Sequence, residues 1–334
     1  MNRDPQADDR PQRQAPVVTH RREPVPGAVI INPMASGGAA AATWPQTNAR
    51  LRHNFSRLER LHTEAPGHAT ILARRALESG AELIVAVGGD GTVNEVLQGF
   101  IDENGRNRFP NACLGIVHAG TGGDFQRMFG PIRAHRQVER LVRSPIKTID
   151  YGFVRFTDND GKPSARAFLN LASVGLSPEV AKEANRSIKL PGPLGYLIPS
   201  LKGIARYRNK QVLVRYDGGE DERVDLTLAC VANGQYFGGG MWICPHSKLD
   251  DGQFDVLVVA GLARRHLIPT LAKVFRGKHL HSRGVDTSRA QTLHMEPVWR
   301  QNEVLLELDG EQVGRLPARF EIIRSSLRLR LATL

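Results

Sequence analysis

The residues in this chain best suited to chemistry are the glycines and the carboxylate of one short loop, Gly88-Gly89-Asp90-Gly91-Thr92. An apolar run, Leu83 to Val87, predicts a buried strand before the loop, and a helical pattern follows it directly. Glycines let the backbone approach a ligand closely, and the N–H groups at a helix start favour phosphate. A carboxylate beside phosphate suits a metal ion or a hydroxyl nucleophile. The loop therefore favours nucleotide-dependent phosphoryl transfer.

The same loop has an ordinary explanation as well. Gly-Gly-Asp-Gly is common turn composition, and Thr92 and Glu95 have capping-box spacing, so that both could serve only the start of the helix. The loop has neither the Gly-Lys-Ser/Thr of a Walker loop nor the G-x-G-x-x-G spacing of a dinucleotide fold. Taken alone, the loop supports a role in phosphoryl transfer and a simple turn equally well.

The elements around this loop predict a doubly wound parallel sheet. Short apolar runs predict strands at 28–31, 58–63, 83–87 and 114–117, and helical periodicity predicts helices at 67–79 and 92–101. A further helix is expected after the glycine loop that ends at Asp124. Ligands of such sheets bind beyond the carboxyl ends of the strands. We therefore expect the polar residues that follow the strands to crowd one edge: Asn32, Gly89, Asp90, Thr121 and Asp124.

The pattern changes after about Pro145, where longer strands lie closer together and predict mostly antiparallel sheet. Strands are expected at 167–174, 211–216, 226–232, 254–259, 304–308 and 319–323, with helical insertions near 194–207 and 264–275. The chain is thus expected to divide into a disordered tail at 1–27, an α/β domain at 28–145 and a β-rich domain at 146–323. The segment 324–334 is expected to pack back on the α/β domain.

The composition points to an anionic partner and a reducing compartment. The formal charge is +11 over 334 residues, and the tail nearly balances its own charges, so that the folded body is basic. Such a body suits nucleic acid, a membrane surface or a polyphosphate. Cys113, Cys230 and Cys244 fit neither a disulfide framework nor a zinc site. Because no apolar run reaches the ~18 residues that span a bilayer and no secretory signal is visible, we expect a cytoplasmic protein.

From about Ala28 to its end, the chain resembles the diacylglycerol kinase catalytic family, most closely the bacterial YegS-like soluble lipid kinases. Each motif that carries the resemblance is weak alone, and their order makes the set specific. The motifs are Asn32-Pro33 with Ser36-Gly37, Thr63 with Gly67-His68-Ala69, the 88–92 loop with Asn94-Glu95, Gly120-Thr121-Gly122-Gly123-Asp124-Phe125, Phe237-Gly238-Gly239-Gly240-Met241, Lys248-Leu249-Asp250-Asp251-Gly252 and Leu308-Asp309-Gly310-Glu311.

The resemblance implies an α/β fold in two parts: an N-terminal doubly wound domain related to NAD kinase and phosphofructokinase, and a C-terminal β-sandwich domain. The active site would lie between them. Asp90 would hold a catalytic Mg²⁺, directly or through water, and Asp309 would accept the proton of a lipid hydroxyl with Glu311 assisting or reaching the metal. Without the family pattern, Asp309-Gly310 is more simply a hairpin turn. ATP would contact Asn32, Thr63, Gly88, Gly89, Gly91, Thr92, Glu95, Gly120, Thr121 and Asp124.

The resemblance also implies a second, structural Mg²⁺ at the turn from Lys248 to Gln253. Asp251 would supply a carboxylate, and the carbonyls of Lys248 and Gln253 would complete an oxygen shell. A turn of this composition needs no metal to form.

The chain departs from the family at three positions, where Pro, Asn and Ala are usual. His118 places a titratable group near phosphate, although a histidine at a strand end is more often structural. Gly123 removes a side-chain amide that could order its loop, and Gln126 replaces the alanine. These departures bear on the nucleotide loop more than on the kinase assignment.

Two basic stretches predict peripheral contact with a membrane that contains the lipid substrate. Arg264, Arg265 and His266 begin an amphipathic helix that ends near Arg276 and Lys278, and a second cluster comprises Lys202, Arg206, Arg208 and Lys210. Either stretch could instead be a solvated face over ordinary core. No nucleic-acid partner is expected, and a homodimer is left open. The alternatives are an NAD kinase-like enzyme with a nucleotide substrate and a non-catalytic lipid-binding relative.

Overall fold

The structure is a computed structural model that describes residues 26–35, 39–54, 57–120, 122–130, 136–180, 207–262 and 264–330. Most of the predicted tail, the Ser36-Gly37-Gly38 motif, Thr121 and the helical insertion expected at 194–207 (apart from its last residue) lie outside these ranges. The helices that lie wholly within these ranges are α1 Ala39–Asn54, α2 His68–Glu78, α3 Asp90–Phe100, α4 Asp124–Arg127, α5 Gln137–Arg143 and α6 Arg264–Val274.

The strands follow the same chain order. They are β1 Gly27–Ile31, β2 Leu58–His62, β3 Leu83–Gly88, β4 Cys113–His118, β5 Ile146–Asp158, β6 Pro163–Phe168, β7 Leu171–Gly175, β8 Lys210–Tyr216, β9 Glu222–Ala232, β10 Tyr236–Phe237, β11 Met241–Trp242, β12 Phe254–Ala260, β13 Val285–Ala290, β14 Thr292–Pro297, β15 Leu305–Leu308 and β16 Glu311–Arg330.

The first domain is the predicted doubly wound sheet. Its strands run parallel in the order β2-β1-β3-β4, with helices on both faces. Alternate residues of a strand point to opposite faces, so that Ala28 and Ile30 pack with α2 and α3, whereas Val29 and Ile31 pack with α1 and α5. The N-terminal part of the fold-class prediction is confirmed.

The second domain is the predicted β-rich body. Six of its strands pair in a closed circuit, β7-β15-β16-β14-β8-β9, so that the sheet folds over on itself. Apolar side chains from facing strands fill the space within it, among them Phe168, Val231, Phe254, Leu306 and Phe320. The β-sandwich part of the fold-class prediction is confirmed.

The last strand ties the two domains together. β16 begins at Glu311, pairs along most of its twenty residues with β5, and ends with Arg328–Arg330 parallel to Cys113–Gly115 of β4. One strand therefore runs from the Asp309–Glu311 turn into the sheet of the first domain. This connection fixes the turn relative to the strand ends of that domain.

Three predicted elements differ from the structure. The single strand expected at 167–174 is broken at Leu169-Asn170, because the N–H groups there bond to the Asp309 carboxylate instead of to a neighbouring strand. The helix expected after Asp124 is only one turn long. Helix α3 begins at Asp90 rather than Thr92, since the extended Gly89 is already its N-cap.

Candidate active site

The loops after β3 and β4 meet because these strands pair in parallel up to Gly88 and His118. Asp90 opens α3, and its Oδ2 accepts hydrogen bonds from the backbone N–H of Gly123 at 2.9 Å and of Asp124 at 3.4 Å. Glycine permits the close approach: a Cβ on Gly120 would lie 2.5 Å from the Cα of Gly89. Asp90 thus joins the two glycine-rich loops.

Asn32, Thr63 and Thr92 lie at the same edge of the sheet. Asn32 Nδ2 donates to Thr92 Oγ1 at 3.0 Å, and the Thr63 backbone N–H donates to the Ile31 carbonyl at 2.9 Å. A Cβ on Gly88 would fall 2.4 Å from Thr92 Oγ1, so that glycine is required there for this packing. These residues form a polar shelf beside the start of α3.

The capping-box interpretation of Thr92 and Glu95 is wrong. Neither side chain caps α3; instead, Glu95 Oε2 accepts the backbone N–H of Ala69 at 3.1 Å, at the start of α2. Glu95 therefore secures the contact between α2 and α3, and its predicted contact with nucleotide stays a prediction.

Asp124 makes one of the contacts between the first domain and the second. It is buried, with Oδ2 accepting the backbone N–H of Gly239 at 2.8 Å and Oδ1 accepting Nε of Arg127 at 3.2 Å. Burial raises the pKa of Asp124, and the nearby Asp90 charge adds to the shift, although the Gly239 hydrogen bond opposes it. Two carboxylates of like charge here are the kind of donors that a hard divalent cation neutralises.

A Mg²⁺ ion fits these residues. Asp90 Oδ1 accepts no hydrogen bond from any residue that the structure describes, which leaves it available as a ligand. Within the described ranges, no group of three or more His, Cys, Asp or Glu side chains is arranged to hold a metal ion. Mg²⁺ is commonly held by one or two carboxylates together with substrate phosphates and water, so that a site of this kind needs no further carboxylate.

Asp309 belongs to the second domain and lines a narrow cleft together with Asp90. It is half-buried and takes the left-handed backbone conformation, with φ 47°. Its Oδ1 accepts the backbone N–H groups of Asn170 at 2.9 Å and Leu171 at 3.1 Å. Its Oδ2 accepts the N–H of Leu169 at 2.9 Å and Asn94 Nδ2 at 2.8 Å. Burial raises the pKa of Asp309, while these hydrogen bonds oppose the rise. Four donors hold this carboxylate in place.

Glu311, two residues later, is open to the cleft. Its side chain is 43% exposed, and Oε2 forms an ion pair with Nη2 of Arg166 at 2.9 Å. Its Oε1 lies beside the start of α3, where a Cβ on Gly91 would come within 2.7 Å of it. Glu311 is therefore the carboxylate of the Asp309–Glu311 turn that a bound substrate reaches more readily.

Arg166 and Asn170 are site residues that the sequence interpretation missed. Arg166 Nε donates to Asn94 Oδ1 at 2.8 Å while its Nη2 holds Glu311, so that it connects α3 to the turn. Asn170 lines the narrow cleft together with Asp90, His118 and Asp309. The position of Asn170 directly after the apolar stretch at 167–169 could have indicated a site residue. No local sequence feature indicated Arg166.

Two of the family departures are physically linked. Gly123 has φ 74°, and a Cβ there would lie 2.8 Å from His118 Nε2. The imidazole of His118 thus occupies space that a side chain at position 123 would need. The backbone of His118 is held by Gln137, which accepts its N–H at 2.6 Å and donates to its carbonyl at 2.9 Å. These contacts indicate a structural role for His118.

The turn at 248–253 is tied to the core through Asp150, which accepts the backbone N–H groups of Gly252 at 2.7 Å and Ser325 at 2.6 Å. The Asp251 carboxylate forms an ion pair with the guanidinium of Arg289, which also lies 3.9 Å from Asp255. A cationic side chain thus already contacts the carboxylate expected to bind a structural Mg²⁺. Metal binding by Lys248, Asp251 and Gln253 stays a prediction.

Among the helices that the structure describes, none is both long and apolar enough to cross a bilayer.

Comparison with known proteins agrees with this architecture. Residues 26–154 match the family model of the diacylglycerol kinase catalytic domain, and residues 170–331 match that of the YegS C-terminal NAD kinase beta sandwich-like domain. The chain is 30% identical over 301 residues to a diacylglycerol kinase of Mycobacterium tuberculosis, covering 88% of this chain and 94% of the relative. A diacylglycerol kinase of Staphylococcus carnosus is 28% identical over 296 residues, covering 87% and 90%.

Two solved structures share the fold. A diacylglycerol kinase from Bacillus anthracis superposes with a TM-score of 0.67 at 23% identity, covering 92% of this chain and 96% of that one. Yeast NADH kinase superposes with a TM-score of 0.51 at 10% identity, covering 94% and 84%. Because both domain models match in order and a relative at 30% identity is covered almost end to end, the chain belongs to the diacylglycerol kinase family.

Proposed function

We propose that the chain is an ATP- and Mg²⁺-dependent lipid kinase that transfers the γ-phosphate to the hydroxyl of diacylglycerol or a related lipid. The observation that carries this proposal is the arrangement of carboxylates across one cleft. Asp90 lies at the positive end of α3, among glycines that admit phosphate, and Glu311 faces it from the second domain. The diacylglycerol kinase name of the relatives supports a lipid as acceptor.

The first domain would bind the nucleotide phosphates. Backbone N–H groups at the start of α3 and the glycine loop after β4 offer donors to oxygen, and the helix dipole favours negative charge there. Asp90, with Asp124 beside it, would hold Mg²⁺, which neutralises charge on the transferring phosphoryl group. Asn32, Thr63 and Thr92 would line the nucleotide next to these loops.

Within this proposal, Glu311 contacts the lipid hydroxyl and accepts its proton, because a general base must reach the proton that it removes. Asp309, with four hydrogen bonds to its two oxygens, would position the turn that carries Glu311. Arg166 would hold Glu311 in place through its ion pair. Proton acceptance by Asp309 itself stays the alternative assignment.

The test is lipid phosphorylation by Glu311→Gln beside a matched control. Glu303→Gln removes a carboxylate that also pairs with an arginine, Arg315, at 3.3 Å on an exposed surface. Loss of a general base costs on the order of 100-fold or more in rate, so that Glu311→Gln should lose at least about that much activity at an unchanged melting temperature. Glu303→Gln should retain activity. Equal activity of the two variants would contradict the role of Glu311.

A further inference from the structure

The sequence between Asp255 and Asp286 is strongly and uniformly basic. It contains no Asp or Glu, and its cations span α6 and the turns that follow. We define the basic segment as residues 261–285. Its six lysines and arginines are Arg264, Arg265, Lys273, Arg276, Lys278 and Arg283.

Four cations of this segment face outward without neutralisation. Lys273, Arg276, Lys278 and Arg283 are exposed, and none forms an ion pair with a carboxylate in the part of the chain that the structure describes. Phe275 lies among them and is 56% exposed. Exposed cations around an exposed aromatic side chain are typical of elements that lie on an anionic bilayer surface.

The inner side of the segment is firmly packed. Val274 and Leu262 are buried, and Leu267 and Leu280 pack against the same cluster, which includes Phe237 of the second domain. Because the apolar residues on the inner side are covered, the exposure of Phe275 does not reflect a poorly packed helix. The exposed cations and Phe275 on the outer face therefore form a surface distinct from the packed inner side.

A chain of contacts connects the segment to the cleft. The imidazole Nε2 of His279 lies 2.9 Å from the Ile243 carbonyl, and Gly277 lies against the ring of Trp242. Trp242 stacks on Tyr236 with ring centroids 5.8 Å apart. The Tyr236 carbonyl accepts Nδ2 of Asn170 at 2.6 Å, and Asn170 in turn donates its backbone N–H to Asp309. The segment and the acceptor side of the cleft thus belong to one connected wall.

We propose that the basic segment is the surface by which this protein docks on an anionic phospholipid bilayer. Its cations contact the headgroup phosphates, and Phe275 inserts at the boundary between headgroups and acyl chains. The inference rests on the proposed function in that a lipid acceptor resides in a bilayer. It goes further by assigning the docking surface to one face of the second domain.

The first test is binding of the full chain to sedimentable vesicles, with no phosphoryl transfer in the readout. The variant K273E/R276E/K278E reverses three cations of the segment. The control R75E/R106E/K162E makes the same charge change at exposed positions on other elements. With phosphatidylcholine–phosphatidylglycerol vesicles, the first variant should bind at least about tenfold more weakly than wild type, and the control should bind within about twofold of it, both with wild-type melting temperatures.

A second test follows the insertion of Phe275 directly. All three native cysteines are buried, so that Phe275→Cys can be labelled selectively with an environment-sensitive fluorophore. Ile71→Cys is the control, since Ile71 has the same 56% exposure on α2 of the first domain. The label at position 275 should shift to the blue on adding anionic vesicles, whereas the label at position 71 should not. Equal shifts at both positions would contradict insertion at the basic segment.

The outcomes separate this inference from the proposed function. Equal vesicle binding by the two charge-reversal variants, or equal binding of wild type to pure phosphatidylcholine, would overturn the docking surface while leaving lipid kinase activity unaffected. Binding of wild type to duplex DNA with none to anionic vesicles would overturn it and assign the segment to nucleic acid. Docking as expected, with no lipid phosphorylated, would overturn the proposed function alone.

Discussion

At the scale of single residues, Asp309 and Glu311 are two carboxylates of one turn in opposite environments. Asp309 is enclosed by four donors, whereas Glu311 has one ion pair and partial exposure. The sequence could place both at one turn, because the motif is local. It could not predict which carboxylate is held by hydrogen bonds and which is accessible to substrate. The donors to Asp309 come from Asn94 and from 169–171, more than 130 positions away in the chain.

Replacing Asp309 by Asn should therefore damage the fold as well as activity. An amide nitrogen would face N–H donors at one of the two oxygen positions, and an unpaired buried donor costs about 1–3 kcal/mol. The melting temperature should fall clearly below that of Glu311→Gln, as measured by calorimetry on both variants. If Asp309→Asn melts like wild type, the four hydrogen bonds do not hold the turn.

Glu307 gives a residue-level test through pH. It is buried in β15, and Oε2 accepts the hydroxyls of Ser173 and Ser177, each at 3.0 Å. Burial raises the pKa of Glu307 above its ordinary value of 4.5, despite these hydrogen bonds. The folded state therefore binds this proton more tightly than the unfolded state, and stability present at low pH is lost as pH rises through the raised pKa.

Glu307→Gln keeps an acceptor for the hydroxyls and removes the buried charge. The melting temperature of the variant minus that of wild type should be small near pH 4.5 and should grow toward pH 8. Thermal melting across this range measures the difference. A constant offset at all pH values would mean that Glu307 does not titrate as its burial implies.

At the scale of elements, the four strands of the first domain and helices α2 and α3 could be predicted, because their apolar periodicity is local. Strands β5, β13 and β14 of the second domain were not predicted. Two further differences have long-range causes. The break at Leu169-Asn170 is made by Asp309, and the true start of α3 follows from how the loop packs on Gly120. Glu95 has capping spacing within α3 but caps α2, a choice that only the packing of the two helices decides.

Helix α3 offers a test that separates stability from activity. Gly91→Ala should preserve or raise stability, since alanine favours a helix by about 1 kcal/mol over glycine. Its Cβ would nevertheless displace Glu311 Oε1, so that activity should fall at least tenfold, measured as kcat with lipid acceptor. The control Gly99→Ala, in the same helix, meets Ala73 Cβ at 2.5 Å and should lower the melting temperature. Full activity of Gly91→Ala would show that Glu311 need not approach α3.

The 248–253 turn gives a second test at this scale. Arg289→Met frees the Asp251 carboxylate of its cationic partner, and a freed carboxylate is available to Mg²⁺. The rise in melting temperature on adding Mg²⁺ should be larger for Arg289→Met than for wild type. It should return to the wild-type value in the double variant Asp251→Asn/Arg289→Met. An equal rise in wild type and Arg289→Met would mean that Arg289 does not compete with a cation.

At the scale of the whole molecule, the cleft exists because one sheet carries both of its walls. The first domain supplies Asp90 and His118, the second supplies Asn170 and Asp309, and β16 pairs with strands of both. The motif order in the sequence pointed to such a cleft through the family resemblance. Arg166, which joins α3 to the turn, emerged only from the contacts across it.

The most direct test of the lipid kinase assignment is transfer of labelled γ-phosphate from ATP with Mg²⁺ to diacylglycerol in mixed micelles, with NAD as acceptor in a parallel reaction. We expect label in an organic-phase phospholipid, none on NAD, and loss of transfer when Mg²⁺ is chelated. Label on NAD alone would contradict the lipid kinase assignment while leaving the fold intact. Nucleotide binding without transfer to any lipid hydroxyl would identify a binding protein instead.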